Sequence, residues 1–291
     1  MNRLSEISAL VHLIDDPDEL IFFQVKDKII EMGSGVIPHL EKAWATENFG
    51  DLFQYRLESI IHEIQLKDVF GQLGKWILNS ENLLEGVLIV NKYKYPNINL
   101  RSVEELLAQI VCDIESQFND ELTILEKIQV INKILFDIYG FRGDKTNYHD
   151  PENSYFNAVL TKKKGNPLML SILYIEISRR LGIPISGINL PNHFLVGYLE
   201  KDYNPIDSNE IRDSFGVLFY INPFSKGTIL YQNEIDNFLF ELKLKQDPKY
   251  YSPCNNISII RRILTNLLYS YSKLNKKRNV AELKKIIQLF N

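Results

Sequence analysis

The sequence has few cysteines, no dominant charge of one sign and no long apolar run. Its two cysteines, Cys112 and Cys254, cannot build a disulfide framework or a set of metal ligands. No apolar run approaches the roughly 18 residues that suggest a transmembrane helix. The formal net charge is −4, from 33 basic and 37 acidic residues, so no broad basic field is available for nucleic acid. The first residues also lack the basic-then-apolar pattern of a signal peptide. We therefore expect a cytoplasmic protein that binds neither nucleic acid nor membrane.

The composition is that of an ordinary globular protein, with 45% hydrophobic and 24% charged residues in 291. Most of the chain shows helical periodicity, and one central stretch alternates with period two. We predict an α+β fold that is mostly helical. The predicted domains are a helical, HEAT-like region at 1–78, a core at 79–245, and a TPR-like helical pair at 246–291. A plain helical bundle is an equally good interpretation of the first region.

One predicted helix, at 167–181, organises the core. Asn166 can cap its start, and Pro167 occupies the first position, where a missing N–H group costs nothing. Gly182 can adopt the left-handed conformation that ends a helix, and Pro184 prevents its continuation. Between these signals the segment is apolar on nearly every side, which indicates a buried helix.

Period-two segments follow this helix. Residues 185–190, 193–199 and 217–221 are predicted strands, and Pro191-Asn192 is the turn between the first two. The predicted second strand therefore begins at His193. A polar hairpin or loop is expected over 200–213.

Three segments carry a family resemblance. They are residues 153–184, 191–196 and 219–227. The order is a helix, a strand, a strand that opens with histidine, and a strand that ends at Asp/Asn-Pro, here Asn222-Pro223. This order resembles the transglutaminase-like superfamily, with its papain-type α+β core. Within it, the sequence is most similar to a divergent bacterial branch, the SirB-type proteins with added helical repeats.

The resemblance implies a particular catalytic arrangement. In active members a cysteine opens the central helix, a histidine opens a strand and an aspartate ends the next strand. A helix N-terminus and an imidazolium stabilise the thiolate, and the carboxylate orients the histidine. Counted back without gaps from Gly182, the cysteine position falls on Pro167, while His193 and Asn222 occupy the other two.

We therefore predict a catalytically inactive member of this superfamily that binds a protein or peptide. His193 and Asn222 are its vestigial catalytic residues, Asn192 and Ser171 are candidate binding residues, and no metal or cofactor is expected. As an alternative, the protein is a cysteine- or serine-type hydrolase or acyltransferase with a relocated nucleophile, for which Ser171 and Cys254 are candidates.

Several of these residues have a second interpretation. His193 can be a core histidine that only satisfies Asn222 or a backbone group. Asp207 can replace Asn222 as the orienting group. Cys112 lies on an apolar helix face and is expected to be buried. A polar loop at 141–153 contains His149, Asp150 and Glu152. Their spacing matches no familiar metal-ligand pattern, so a solvated loop is the favoured interpretation.

Overall fold

The computed structural model describes residues 3–46, 50–200 and 215–291. The chain divides into two compact units, the first formed by residues 1–78 and 92–96, the second by 79–91 and 97–291. Within the described ranges, no helix is long and apolar enough to cross a membrane. The prediction of a mostly helical α+β fold is confirmed.

The first unit is helical. Its helices are α1 (Arg3–His12), α2 (Glu19–Glu31), α3 (Ile37–Thr46) and α4 (Asp51–Leu78). Asp18 caps α2 by accepting from the backbone N–H of Leu20. Arg56 of α4 is buried against the Phe22 ring and donates to the carbonyl oxygens of Ile14 and Asp16 at 2.9 and 2.7 Å. This arginine therefore holds the α1–α2 connection onto α4.

The second unit combines helices with a small sheet. The helices are α5 (Leu83–Lys92, whose last residue falls in the first unit), α6 (Leu100–Glu115), α7 (Ile124–Asn132), α8 (Phe156–Lys162), α9 (Pro167–Arg180), α10 (Gln232–Glu241), α11 (Asn256–Lys273) and α12 (Lys277–Ile287). The strands are β1 (Arg142–Gly143), β2 (Lys164–Gly165), β3 (Ile185–Ile188), β4 (Leu195–Leu199), β5 (Val217–Asn222) and β6 (Thr228–Leu230). Helices α11 and α12, which we predicted as a separate C-terminal pair, lie in this unit.

Helix α9 is the central element of the second unit, as its sequence predicts. Every residue from Pro167 to Ser178 is buried, and Leu173 is only 1% exposed. The helix packs against β3 and β4 on one side and against α6, α8 and α11 on others. The chain then leaves the helix through Gly182, whose φ of +68° is readily adopted only without a side chain. Local end signals and an all-round apolar body thus fix both the length and the burial of α9.

The main sheet is antiparallel and has the order β3-β4-β5-β6. Val196 of β4 pairs with Ile221 of β5, and Tyr220 pairs with Leu230 of β6. The prediction that His193 opens the second strand is wrong, since β4 begins at Leu195. The turn is longer than predicted because Asn192 is left-handed (φ +58°) and the N–H of His193 bonds back to the Leu190 carbonyl.

Cys112, expected to be buried, is exposed on α6, because the buried side of that helix is formed by Val103, Leu107, Ile110 and Ile114. The hairpin or loop predicted over 200–213 lies outside the described residues except for its first position, and so does Asp207.

A polar bridge ties the end of β5 to the helices. Asn132, the last residue of α7, donates from Nδ2 to the carbonyl of Gly227 at 2.9 Å. Its Oδ1 accepts from the hydroxyl of Tyr174 in α9 at 3.0 Å. The chain after Asn132 widens into a π-helical turn over residues 133–138. The turn that follows Asn222 is therefore held against α7 and α9 by side-chain hydrogen bonds.

Candidate functional site

The N-terminus of α9 is fixed by one buried amide. Oδ1 of Asn166 accepts from the backbone N–H of Met169 at 2.9 Å, which caps the helix. Its Nδ2 donates to Oγ of Ser154 at 2.7 Å. Pro167 follows as the first helical residue and is itself buried. The position that the family resemblance assigns to the nucleophile thus carries a pyrrolidine ring.

His193 lies in the turn before β4 and is largely enclosed. Its ring neighbours two aromatic rings, with centroids 6.3 Å from Phe224 and 6.2 Å from Phe238. Burial lowers the pKa of His193; a hydrogen bond with the Asn222 side chain opposes this shift, and the positive charge of Arg262 adds to it. The imidazole is therefore neutral at pH 7 and paired with Asn222.

Asn222 ends β5, as predicted, and its Oδ1 also accepts from the backbone N–H of Ser225 at 3.3 Å. The chain then places the Phe224 ring over Gly143 of β1, where an added Cβ would lie only 2.5 Å from the ring. The same ring meets Tyr148 edge to face, with centroids 6.0 Å apart. The structure thus brings His193, Asn222 and the start of α9 into one region.

A cleft of about 590 Å³ opens at this place. Its walls come from the loop before α8, the start of α9, the turn before β4 and the side of α11. The lining residues are Tyr148, His149, Ser154, Asn166, Pro167, Leu168, Pro191, Asn192, His193, Phe194, Arg262, Thr265, Asn266, Tyr269 and Ser270. Pro167, Asn192 and His193, all singled out from the sequence, therefore share one cavity.

A second, smaller cavity of about 240 Å³ is also lined by His193. It is lined mainly by apolar side chains, among them Leu195, Ile235 and Phe238, and it also contains Asn222 and Glu234. Among the described lining residues, His193 is shared by both cavities. One side chain is thus shared by a cleft of mixed lining and a mainly apolar pocket.

Neither substitute nucleophile lines the cleft. Ser171 is fully buried in α9, and its Oγ donates to the Phe194 carbonyl at 3.4 Å. Cys254 precedes α11, and burial raises the pKa of its thiol to about 12, so it is protonated and weakly nucleophilic at neutral pH. Ser171 therefore helps to fasten the His193 turn to α9, and Cys254 is a poor candidate for covalent chemistry.

Helix α11 contributes a wall of the cleft that the sequence did not reveal. Arg262, Asn266 and Tyr269 lie at helical spacing on its cleft side, next to the buried apolar face of the helix. His149 joins them, because its ring meets that of Tyr269 with centroids 5.1 Å apart. The available signal was a polar stripe at 262, 266 and 269, but only the tertiary fold shows that it faces α9.

The chain is similar in sequence to known proteins. A family model described as the transglutaminase-like superfamily matches residues 101–265. A UPF0162 protein of Xylella fastidiosa is 29% identical over 204 residues, which are 67% of this chain and 66% of that protein. A UPF0162 protein of Vibrio cholerae is 28% identical over 65% of this chain and 66% of its own length.

A more distant similarity reaches eukaryotes. F-box only protein 21 of Mus musculus is 24% identical over 74% of this chain, but the match covers only 37% of that protein. The chain thus spans from about a third to just under two thirds of these relatives' lengths. No solved structure matches the chain.

Proposed function

Because the chain belongs to the transglutaminase-like superfamily, we propose that it is a catalytically inactive member that binds a protein or peptide segment in the cleft beside α9. The observation that carries this proposal is Pro167. It occupies the first position of a capped helix, in the cleft that His193 also lines. A thiol there would gain from the helix dipole and from a neighbouring imidazole, whereas proline offers no nucleophilic atom.

The remaining residues support a binding role. His193 and Asn222 keep a hydrogen bond, but burial keeps the imidazole neutral, and no cysteine lines the cleft among the described residues. Such a pair can orient a ligand group without forming a covalent bond.

The cleft has the size and lining of a ligand site. Its volume falls within the roughly 300–1,000 Å³ typical of binding pockets. Aromatic rings at Tyr148 and Tyr269 offer flat apolar contact, while the amides of Asn192 and Asn266 can bond to a peptide backbone. This mixture of rings and neutral amides suits an extended peptide segment.

An array of random-sequence peptides, probed with the purified chain, tests the proposal. The blocking variant is Thr265→Trp, which places an indole in the cleft from an exposed position of α11. The matched control is Arg261→Trp, exposed on the same helix but outside the lining. We expect the control to retain the peptides that the wild-type chain binds, and the blocking variant to lose at least about tenfold in affinity, or about 1.4 kcal/mol.

Two results would contradict the proposal. One is unchanged peptide binding by Thr265→Trp, which would place the binding surface elsewhere. The other is hydrolysis or cross-linking of peptides by the wild-type chain that disappears in His193→Ala, which would show that the site is catalytic.

A further inference from the structure

The cleft contains a positive charge that is only partly compensated. Arg262 is half-buried, and its hydrogen bonds run from Nη1 to Oδ1 of Asn189 at 3.0 Å and to the carbonyl of Leu190 at 3.4 Å. Both partners are neutral. Within the described chain, Nε and Nη2 have no hydrogen-bond partner, and no carboxylate lines the cleft. A half-buried guanidinium with free donors is a strong site for an anion.

A second donor is oriented by the cap of α9. The backbone N–H of Met169 can only donate, so the side-chain oxygen of Asn166 must face it, and the Asn166 NH₂ group faces Ser154. Oγ of Ser154 therefore accepts this bond and keeps its own hydrogen for another acceptor. Ser154 is 2% exposed and lines the cleft, and no described residue accepts from its hydroxyl. A buried hydroxyl in this state needs an acceptor from a ligand or solvent.

The field of Arg262 extends across the cleft. Its charge opposes the rise in the pKa of Tyr148 that burial causes, and it adds to the lowering at His193. The two residues come from different walls, so the charge of Arg262 acts on both of these walls. An anionic group near Arg262 would interact favourably with this charge, and the partial burial of the guanidinium would strengthen the interaction.

We infer that the peptide bound in this cleft is anchored by a carboxylate, which pairs with the guanidinium of Arg262 and accepts from the hydroxyl of Ser154. The inference rests on the proposed peptide-binding function and adds its specificity. A peptide offers a carboxylate either at its C-terminus or on an Asp or Glu side chain. Planar, bidentate recognition of a carboxylate is the geometry for which a guanidinium is best suited.

The test compares matched peptides on the array used above. Each bound peptide is printed again with an amidated C-terminus, and again with its acidic side chains changed to Asn or Gln. We expect one of the two changes to weaken binding to the wild-type chain about tenfold or more, the size of a hydrogen bond to a charged group. The change that does so identifies the source of the carboxylate.

Variants of the chain provide the reciprocal test. Arg262→Gln keeps a donor toward Asn189 but removes the charge. This variant should therefore bind the peptides that carry the carboxylate and the neutral peptides with equal affinity. Arg262→Lys should recover part of the preference, and Arg261→Gln, one residue away and exposed, should retain all of it. Thermal unfolding confirms that each variant is folded, and the wild-type comparison of peptides does not depend on any variant.

The outcomes separate the two proposals. The carboxylate proposal is refuted if neither carboxylate change weakens peptide binding, or if Arg262→Gln still prefers peptides with the carboxylate. Either result leaves the proposed peptide-binding function unaffected. Absence of any peptide binding by the wild-type chain refutes the proposed function and the anchor together.

Discussion

Gly227→Ala tests the polar bridge that holds the end of β5. Gly227 has a φ of +74°, and an added Cβ would lie 2.0 Å from Oδ1 of Asn132. The Asn132 side chain cannot move away without losing its bonds to the Gly227 carbonyl and the Tyr174 hydroxyl. One methyl group thus introduces both a strained backbone angle and a steric conflict.

The expected cost has two parts. An alanine in the left-handed conformation costs about 1–2 kcal/mol. Alanine also lowers the conformational entropy of the unfolded chain, which offsets ~0.4–1 kcal/mol of this cost. Breaking the bridge leaves the fully buried hydroxyl of Tyr174 without its acceptor, at about 1–3 kcal/mol. We therefore expect Gly227→Ala to lower the free energy of unfolding of the second unit by about 2–4 kcal/mol.

Gly182→Ala is the matched control. Gly182 has a φ of +68°, but no atom lies within 4 Å of an added Cβ, so this variant reports the backbone cost alone. Both tryptophans, at 44 and 76, lie in the first unit, so their fluorescence reports on that unit. Hydrogen exchange of the α9 amides is therefore the better measure of the stability of the second unit. Equal loss of protection in the two variants would refute the claim that the Asn132 bridge supports this turn.

The remaining predictions concern the core and the site. Leu173→Ala should cost about 2–5 kcal/mol in urea unfolding followed by hydrogen exchange, because Leu173 is fully enclosed in α9. Leu218→Ala, at a half-exposed position of β5, is the control and should cost less than about 0.5 kcal/mol. A similar loss of unfolding free energy in the two variants would mean that α9 is not central. Burial lowers the pKa of His193 below its ordinary 6.5, so the unfolded chain binds a proton at a higher pH than the folded one. The stability that neutral His193 provides should therefore be complete above pH about 6.5 and decline as the pH falls toward the folded pKa. Thermal midpoints between pH 7 and 5 should fall less steeply in His193→Gln, and an identical slope would contradict this assignment.

Helix α9 was predictable because its signals are local. Asn166, Pro167 and Gly182 mark its ends, and burial on all sides follows from its composition. The observed end at Arg180 differs from the prediction by one residue. Asn222 at the end of β5 was predictable for the same reason, since Pro223 directly follows it.

The turn before β4 was less predictable. A period-two pattern that starts at His193 cannot reveal that Asn192 adopts a left-handed conformation and that the turn closes on Leu190. The two-residue strands β1 and β2 pair across twenty intervening residues and carry no periodicity at all.

The far wall of the cleft was the largest omission. Arg262 and Tyr269 belong to a helix that follows α9 by more than seventy positions, and the apolar periodicity of that helix marks only its buried face. Which polar face meets α9 depends on how the two helices pack, a tertiary relation that no local pattern contains. Exposure of Cys112 has a similar origin, because it lies at the border of the apolar face of α6.

The shared position of His193 has a thermodynamic consequence. The His193 side chain lines both the cleft and the smaller apolar pocket, so a ligand in either cavity can contact the same ring. If occupancy of the pocket shifts the ring, it changes affinity in the cleft by some factor, and occupancy of the cleft must change affinity in the pocket by the same factor. His193 is thereby placed to couple two binding equilibria.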